Sequence, residues 1–209
     1  MLFRSLFNAP LDGQVYAQPL YMSNQTITVG GASSVHDVLY VATQHDSVYA
    51  LDADSGSVLW HRSFIDPANG ITTIPYQDVS STDILPEIGI TSTPVIDAAN
   101  STIYLVSRTK EIRPDGTHYV QTLRALDLAS GADKLGGATV IADTAFDDGV
   151  YTYVSGPWIY GTALFNVDGK VYYNSLRQNQ RPALTLANGS IDRKSTRLNS
   201  SHLVISYAV

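Results

Sequence analysis

Six polar side chains in this 209-residue chain have the chemistry to hold a small molecule or an ion: Gln18, Glu87, Thr93, Arg177, Gln180 and Arg181. An Arg guanidinium meets a carboxylate with two parallel N–H donors, and a Glu offers the hard oxygens a divalent cation takes. The same side chains serve equally to cap strand ends and to bond neighbouring sheets. His45-Asp46 has the composition of a general base with its orienting carboxylate, or of a turn element at a strand end. His36, His61 and His118 do not converge at metal-ligand spacing, and no G-x-S-x-G, P-loop or dinucleotide fingerprint occurs. The residues by themselves assign no catalytic residue and no metal ligand.

The elements that must position them are strands. From Ser47 to Trp60 two short apolar runs flank Asp52-Ala53-Asp54-Ser55-Gly56, a cluster of turn formers. Val48, Ala50, Val58 and Trp60 alternate with their neighbours, the period of a half-buried strand. The unit recurs: Ala50-x-Asp52-x-x-x-Gly56-x-x-x-Trp60 is answered 75 residues later by Ala125-x-Asp127-x-x-x-Gly131-x-x-x-Leu135. Upstream, Gln18-Pro19-Leu20 matches Thr93-Pro94-Val95, and Val38-Leu39-Tyr40-Val41 matches Thr102-Ile103-Tyr104-Leu105. Each copy thus holds four strands. A repeated four-stranded sheet unable to cover both its faces alone predicts the blade of a β-propeller.

The A-x-D-x-x-x-G-x-x-x-W spacing resembles the tryptophan docking motif of the quinoprotein alcohol dehydrogenase-like propellers, or pyrroloquinoline quinone (PQQ) repeats. Val15-Tyr16-Ala17-Gln18-Pro19-Leu20-Tyr21 and Glu87-Ile88-Gly89-Ile90-Thr91 are similar to phrases in a bacterial secreted subgroup. The resemblance implies that Trp60 lies between adjacent blades, with Leu135 in its place in the second copy. It also implies a periplasmic or extracellular location. In quinoprotein dehydrogenases of this fold the quinone sits on the channel axis above calcium, with an Asp as base. By that likeness Gln18, Thr93 and Arg181 begin inner strands, while Glu87, Arg177 and Gln180 occupy mouth loops. There they are candidates for a carboxylated quinone or a metal. The adjacent-Cys disulfide of many such enzymes is absent, since the chain has no Cys.

Composition narrows the classes further. Hydrophobic residues make up 44% and charged residues 15%, which describes a globular chain, and thirteen Tyr favour sheet. The formal charge of −6 comes without any basic stripe, which argues against a nucleic-acid partner. No apolar run reaches the roughly 18 residues of a membrane span. The Met1 to Phe7 stretch is too short for a signal peptide, so the start reads as internal to a longer product.

Taken in order, the expectation is an all-β partial propeller over residues 1–190: a blade at about 15–64, a second at about 90–142, an insertion at 143–176, and the start of a third at 177–190. The 61–88 connection, with Pro67, Pro75 and Pro86, is long enough to be an Ω-like surface loop or to cross a channel mouth. Arg108 to Gly116 reads as a solvated hairpin tip. Asn166 to Tyr172 reads as a hairpin turning at Asp168-Gly169. From about Ile191 the apolar period stops. Residues 191–209 resemble a translated adaptor tail and are set apart as non-native. Two blades and part of a third do not close a ring of about 4–8, so a fragment with open, aggregation-prone ends is expected.

Three functions are compatible with this reading. The first is a secreted, non-catalytic module that binds a protein, peptide or glycan, with Trp158 and Tyr160 on an aromatic rim. The second is a PQQ- and calcium-dependent alcohol or sugar dehydrogenase. The third is an outer-membrane assembly scaffold. Neither quinone nor calcium is evident from the residues alone.

Overall fold

The computed structural model describes residues 6–147, 150–163, 166–197 and 200–208, with side chains as far as Asp192. Residues 1–5, 164–165 of the 152–165 run, and 198, 199 and 209 of the proposed tail therefore lie outside what it describes. The first sheet is β1 (Leu20–Val29), β2 (Ala32–Ala42), β3 (Ser47–Asp52) and β4 (Val58–Ser63), antiparallel in chain order. The 61–88 connection then adds β5 (Ile71–Pro75) and β6 (Glu87–Ile88), with one helical turn, α1 (Tyr76–Val79), between them. A second antiparallel run follows: β7 (Val95–Asp97), β8 (Thr102–Arg113), β9 (Gly116–Asp127), β10 (Asp133–Asp147) and β11 (Val150–Ser155). The hairpin β12 (Trp158–Tyr160) and β13 (Lys170–Tyr172) comes next. A third sheet holds β14 (Thr185–Ala187), β15 (Ser190–Arg197) and β16 (Ser200–Ala208). The chain is all-β, built of successive antiparallel sheets as in part of a β-propeller.

Alternation explains the stacking. On β8, Ile103 and Leu105 point one way, and Tyr104 and Val106 the other. The first pair joins Leu126 and Leu128 against Val38, Tyr40, Val48, Ala50 and Trp60 of the first sheet. The second pair joins Leu123 and Ala125 against Leu184 and Ile191 of the third. Both faces of the middle sheet are therefore dry, which is what makes neighbouring sheets obligatory.

Trp60 is the largest side chain at the first of these seams and is 8% exposed. Its Nε1 donates to Leu128 O at 2.9 Å, and Tyr40 Oη donates to the same carbonyl at 3.1 Å. The ring lies flat over Gly131, whose φ is +68°. A Cβ there would come within 2.7 Å of Trp60 Cε3. Gly56 takes the matching place in the first sheet, and the ring above it is Phe7, with Cγ 2.7 Å from where a Cβ would sit. Phe7 carries no repeat signature in the sequence.

Leu135 departs from expectation. It is 68% exposed and is no wedge. Between Asp133 and Ala138 the β9–β10 ladder breaks, and Leu135, Gly136 and Gly137 all take positive φ. The backbone there arches off the sheet and carries the side chain with it, beside Tyr104 and Leu186 in a cavity of about 630 Å³. The 108–116 segment is also no mere solvated tip. β8 and β9 continue through it, β5 pairs with the outer end of β8, and Arg108 is 2% exposed. The second sheet runs on to Asp147 and β11. The Asp168-Gly169 turn closes the Val167↔Lys170 bridge at the start of β13, with both turn residues at positive φ, as a type I′ turn requires. From residue 190 the backbone pairs as the β15–β16 hairpin.

Asp52 anchors the first repeat turn. Its Oδ1 accepts from Ser55 N at 2.8 Å, Ser55 Oγ at 2.7 Å and Asp54 N at 3.2 Å. These bonds, with His36 on the other oxygen, bring the carboxyl from 3.8 down to about 2. A depressed carboxyl stabilises the fold above its unfolded value and loses that contribution as pH falls through the folded one. Wild type should therefore unfold at higher urea than Asp52→Asn at pH 5, with the gap closing toward pH 2. A gap unchanged over that range would refute the assignment.

Candidate functional site

Residues 87–92 run between the first sheet and the residues leading into the third, and side chains from both sides grip them. Gln44 accepts from Gly89 N at 3.0 Å and donates to Ile90 O at 2.9 Å. From the opposite side Gln180 donates to Gly89 O at 2.9 Å and accepts from Ser92 Oγ at 3.3 Å. Both amides are buried, so each must satisfy its oxygen and nitrogen locally, and each does. Gly89 is required by space. A Cβ would stand 2.7 Å from Asp46 N and closer still to Gln44 O.

Charged groups collect at one end of this segment. Glu87 Oε1 pairs with His45 Nδ1 at 2.8 Å, and Oε2 accepts from Thr73 Oγ1 at 2.6 Å. Asp46 turns inward instead, and its Oδ1 accepts from Arg108 N at 3.0 Å. Burial pushes the Asp46 carboxyl well above the usual range, against the pull of Arg124 and Arg108. Arg124 is itself lowered by burial, with its guanidinium 4.8 Å from the Phe64 ring centre. Arg108 donates Nε to Ser175 O at 3.2 Å and a terminal nitrogen to Leu176 O. Beside it lies a cavity of about 210 Å³ lined by Arg108, Arg177, Asn179, Asp83, Ile88 and others.

His45 and Asp46 thus do not form a pair. Asp46 has positive φ, and the turn sends the two side chains to different surroundings. Of the six sequence candidates, Gln18 N donates to Thr93 Oγ1 at 3.0 Å, and Thr93 O accepts from Leu184 N at 3.0 Å. These bonds join the starts of successive copies. Glu87 and Gln180 hold opposite ends of the 87–92 segment. Arg177 donates to Val79 O at 2.7 Å at the cavity wall, and Arg181 is exposed. Calcium takes about 6–8 oxygens. Glu87 has spent both of its own, and among the described residues no three His, Asp or Glu side chains are placed to hold a metal ion. That donor set does not fit the ion.

Two further clusters have no local signature in the sequence. His118, 1% exposed, has Nδ1 2.8 Å from Asp143 Oδ1, while Arg113 donates to Asp143 Oδ2 at 2.6 Å and to Glu111 Oε2 at 2.7 Å. The register Glu111↔His118 across β8 and β9 brings them together. At the rim, His36 Nδ1 stands 2.7 Å from Asp52 Oδ2.

No protein-family model matches the chain. No curated protein matches it either. Among solved structures, BamB from Moraxella catarrhalis is similar at 9% identity across 93% of this chain, with a TM-score of 0.25. This chain spans 59% of that structure's length. The blade architecture stands on its own sheets and on the two dry faces of the middle one.

Proposed function

We propose that this propeller segment is a binding or interaction module that works outside the cytoplasm and meets its partner through the β12–β13 hairpin. The observation that supports this is a run of three large side chains held in water. Trp158 is 39% exposed, Ile159 48% and Tyr160 80%. Trp158 and Tyr160 meet edge to face at 4.9 Å, and Lys170 Nζ stands 4.4 Å from the Trp158 ring centre. Amphipathic rings presented on a β-strand supply large contact area at little entropic cost, the usual make-up of a binding hot spot. The PQQ-repeat resemblance supports the location. The quinoprotein reading has less support, because Glu87 is already committed to His45 and Thr73.

The test is an array of peptides and oligosaccharides probed with wild type and with Trp158→Ala/Tyr160→Ala. Both side chains are exposed, so the variant should melt within about 2 °C of wild type while its binding falls at least tenfold. An array that wild type leaves blank, or a variant that binds as well as wild type, rejects the proposal.

A further inference from the structure

The outer end of the β1–β2 hairpin carries three side chains in series. Ser34 Oγ lies 2.6 Å from His36 Nε2, and His36 Nδ1 lies 2.7 Å from Asp52 Oδ2. The carboxylate only accepts, so Nδ1 carries the proton and Nε2 is left to accept from the Ser34 hydroxyl. That is the order and tautomer by which a serine is made nucleophilic. We infer that Ser34, His36 and Asp52 form an acyl-transfer site for esters with good leaving groups, a chemical activity beyond the binding reading and independent of it.

Strand register builds the site. Ser34 and His36 are two apart on β2 and so share a face, and Asp52 reaches that face because it pairs with Val38. Asp52 is fixed from behind by the Ser55 and Asp54 bonds, which hold its second oxygen on the imidazole. Ser34 is exposed, while the His36 and Asp52 side chains are 23% and 16% exposed. The nucleophile therefore meets solvent, and its base and orienter are sheltered.

The second repeat supplies an internal comparison. Asp127 occupies the Asp52 position, pairs with Thr102 and likewise anchors its turn through Ser130. Counting back from Thr102 by the same steps gives Asn100 and Ala98 where the first copy has His36 and Ser34. The turn thus needs the Asp and nothing more from those two positions. β1 and β2 also run ten and eleven residues, against three for β7. The triad sits on that extra length. β3 ends at Asp52, opposite Val38, so residues 32–37 of β2 have no strand on their outer edge among the described residues. Backbone N–H groups along that edge are the donors available to an oxyanion.

In the reaction, Ser34 Oγ bonds to the ester carbonyl carbon as its proton moves to His36 Nε2. The alcohol then leaves with that proton, and the acyl group stays on Oγ. Water, deprotonated by the same nitrogen, releases the acid and restores the serine. A fluorophosphonate halts after the first half: the O–P bond forms, fluoride departs, and the serine stays blocked.

The test treats the full chain with a fluorophosphonate, maps the adduct by mass spectrometry, and follows p-nitrophenyl acetate hydrolysis. The adduct is expected on Ser34. Ser34→Ala, with its circular dichroism spectrum unchanged, is expected to lose the adduct and to lower hydrolysis at least about 100-fold, the scale of positioned acid–base catalysis. Ser34→Cys keeps a nucleophile in place and is expected to recover an acyl intermediate on residue 34. No adduct on Ser34, or hydrolysis by Ser34→Ala within twofold of wild type, overturns the inference.

Discussion

Trp60→Ala is expected to destabilise the chain by about 3–5 kcal/mol, the usual cost of emptying a buried large aromatic site. Domains hold only about 5–15 kcal/mol in total, so the loss is a large fraction of the stability and should move the urea midpoint far down. The ring fills the seam between the first and second sheets, and the atoms around it are strand backbone, Gly131 and Tyr40, none free to close the gap. Arg62–Asp133 also crosses this seam at 2.8 Å, but both side chains are more than 40% exposed. Such a pair is worth about 0–1 kcal/mol, so the ring decides the outcome. Trp60→Phe separates the two parts of the effect. It keeps most of the packing and loses the Nε1 bond to Leu128 O, which Tyr40 still satisfies. Its cost should therefore stay near 1 kcal/mol, the net value of a hydrogen bond. Urea unfolding followed by circular dichroism and Trp158 emission measures both. A Trp60→Ala loss under about 1 kcal/mol would mean that the sheets are held together elsewhere, against the core contacts described above.

This seam was legible in the sequence because it is periodic. Val38, Tyr40, Val48, Ala50 and Trp60 declare one face, and the alternation of Ile103, Leu105 and Leu126 in the second copy declares its partner. Leu135 misled because spacing alone put it in the docking position. The Gly136-Gly137 dipeptide beside it was the available sign that the chain leaves the ladder there. Arg108 read as surface because a charge in a mixed run is usually solvated. Its burial depends on β5 joining the sheet and on the carbonyls of Ser175 and Leu176, contacts 67 and 68 residues away. For the six polar candidates, three expected at strand starts and three in mouth loops, the bonding partners are not visible in the sequence. Glu87 with His45 and Gln180 with Gly89 are pairings across sheets, and no local pattern encodes those. Ser34, His36 and Asp52 went unseen for a related reason. A search for metal-ligand spacing looks along one strand, whereas this series runs two residues along β2 and then across to β3.

Gly89→Ala should have the second-largest effect, for a reason unrelated to backbone torsion. The added methyl meets the backbone of residues 44–46, the buried turn between β2 and β3, and backbone does not yield as a flexible side chain does. Overpacking of this kind costs about 1–3 kcal/mol. To relieve it the 87–92 segment must withdraw from the first sheet, which breaks the Gln44 bonds to Gly89 N and Ile90 O and the Ile90 N bond to Thr43 O. Each costs about 0.5–1.5 kcal/mol net, and more if the buried Gln44 amide is left unpaired. Withdrawal relieves the clash at the cost of three bonds, roughly 1.5–4.5 kcal/mol in all. Withdrawal also pulls Glu87 from His45, so the imidazole environment should change along with stability. The His45 ring resonances in NMR, compared between wild type and Gly89→Ala, report this directly. Gln44→Ala provides the contrast, since it empties the same clamp without a clash and should cost less. If Gly89→Ala proves as stable as wild type, residues 87–92 stand further from the first sheet than the structure places them. The charged end of the candidate site would then lose its support.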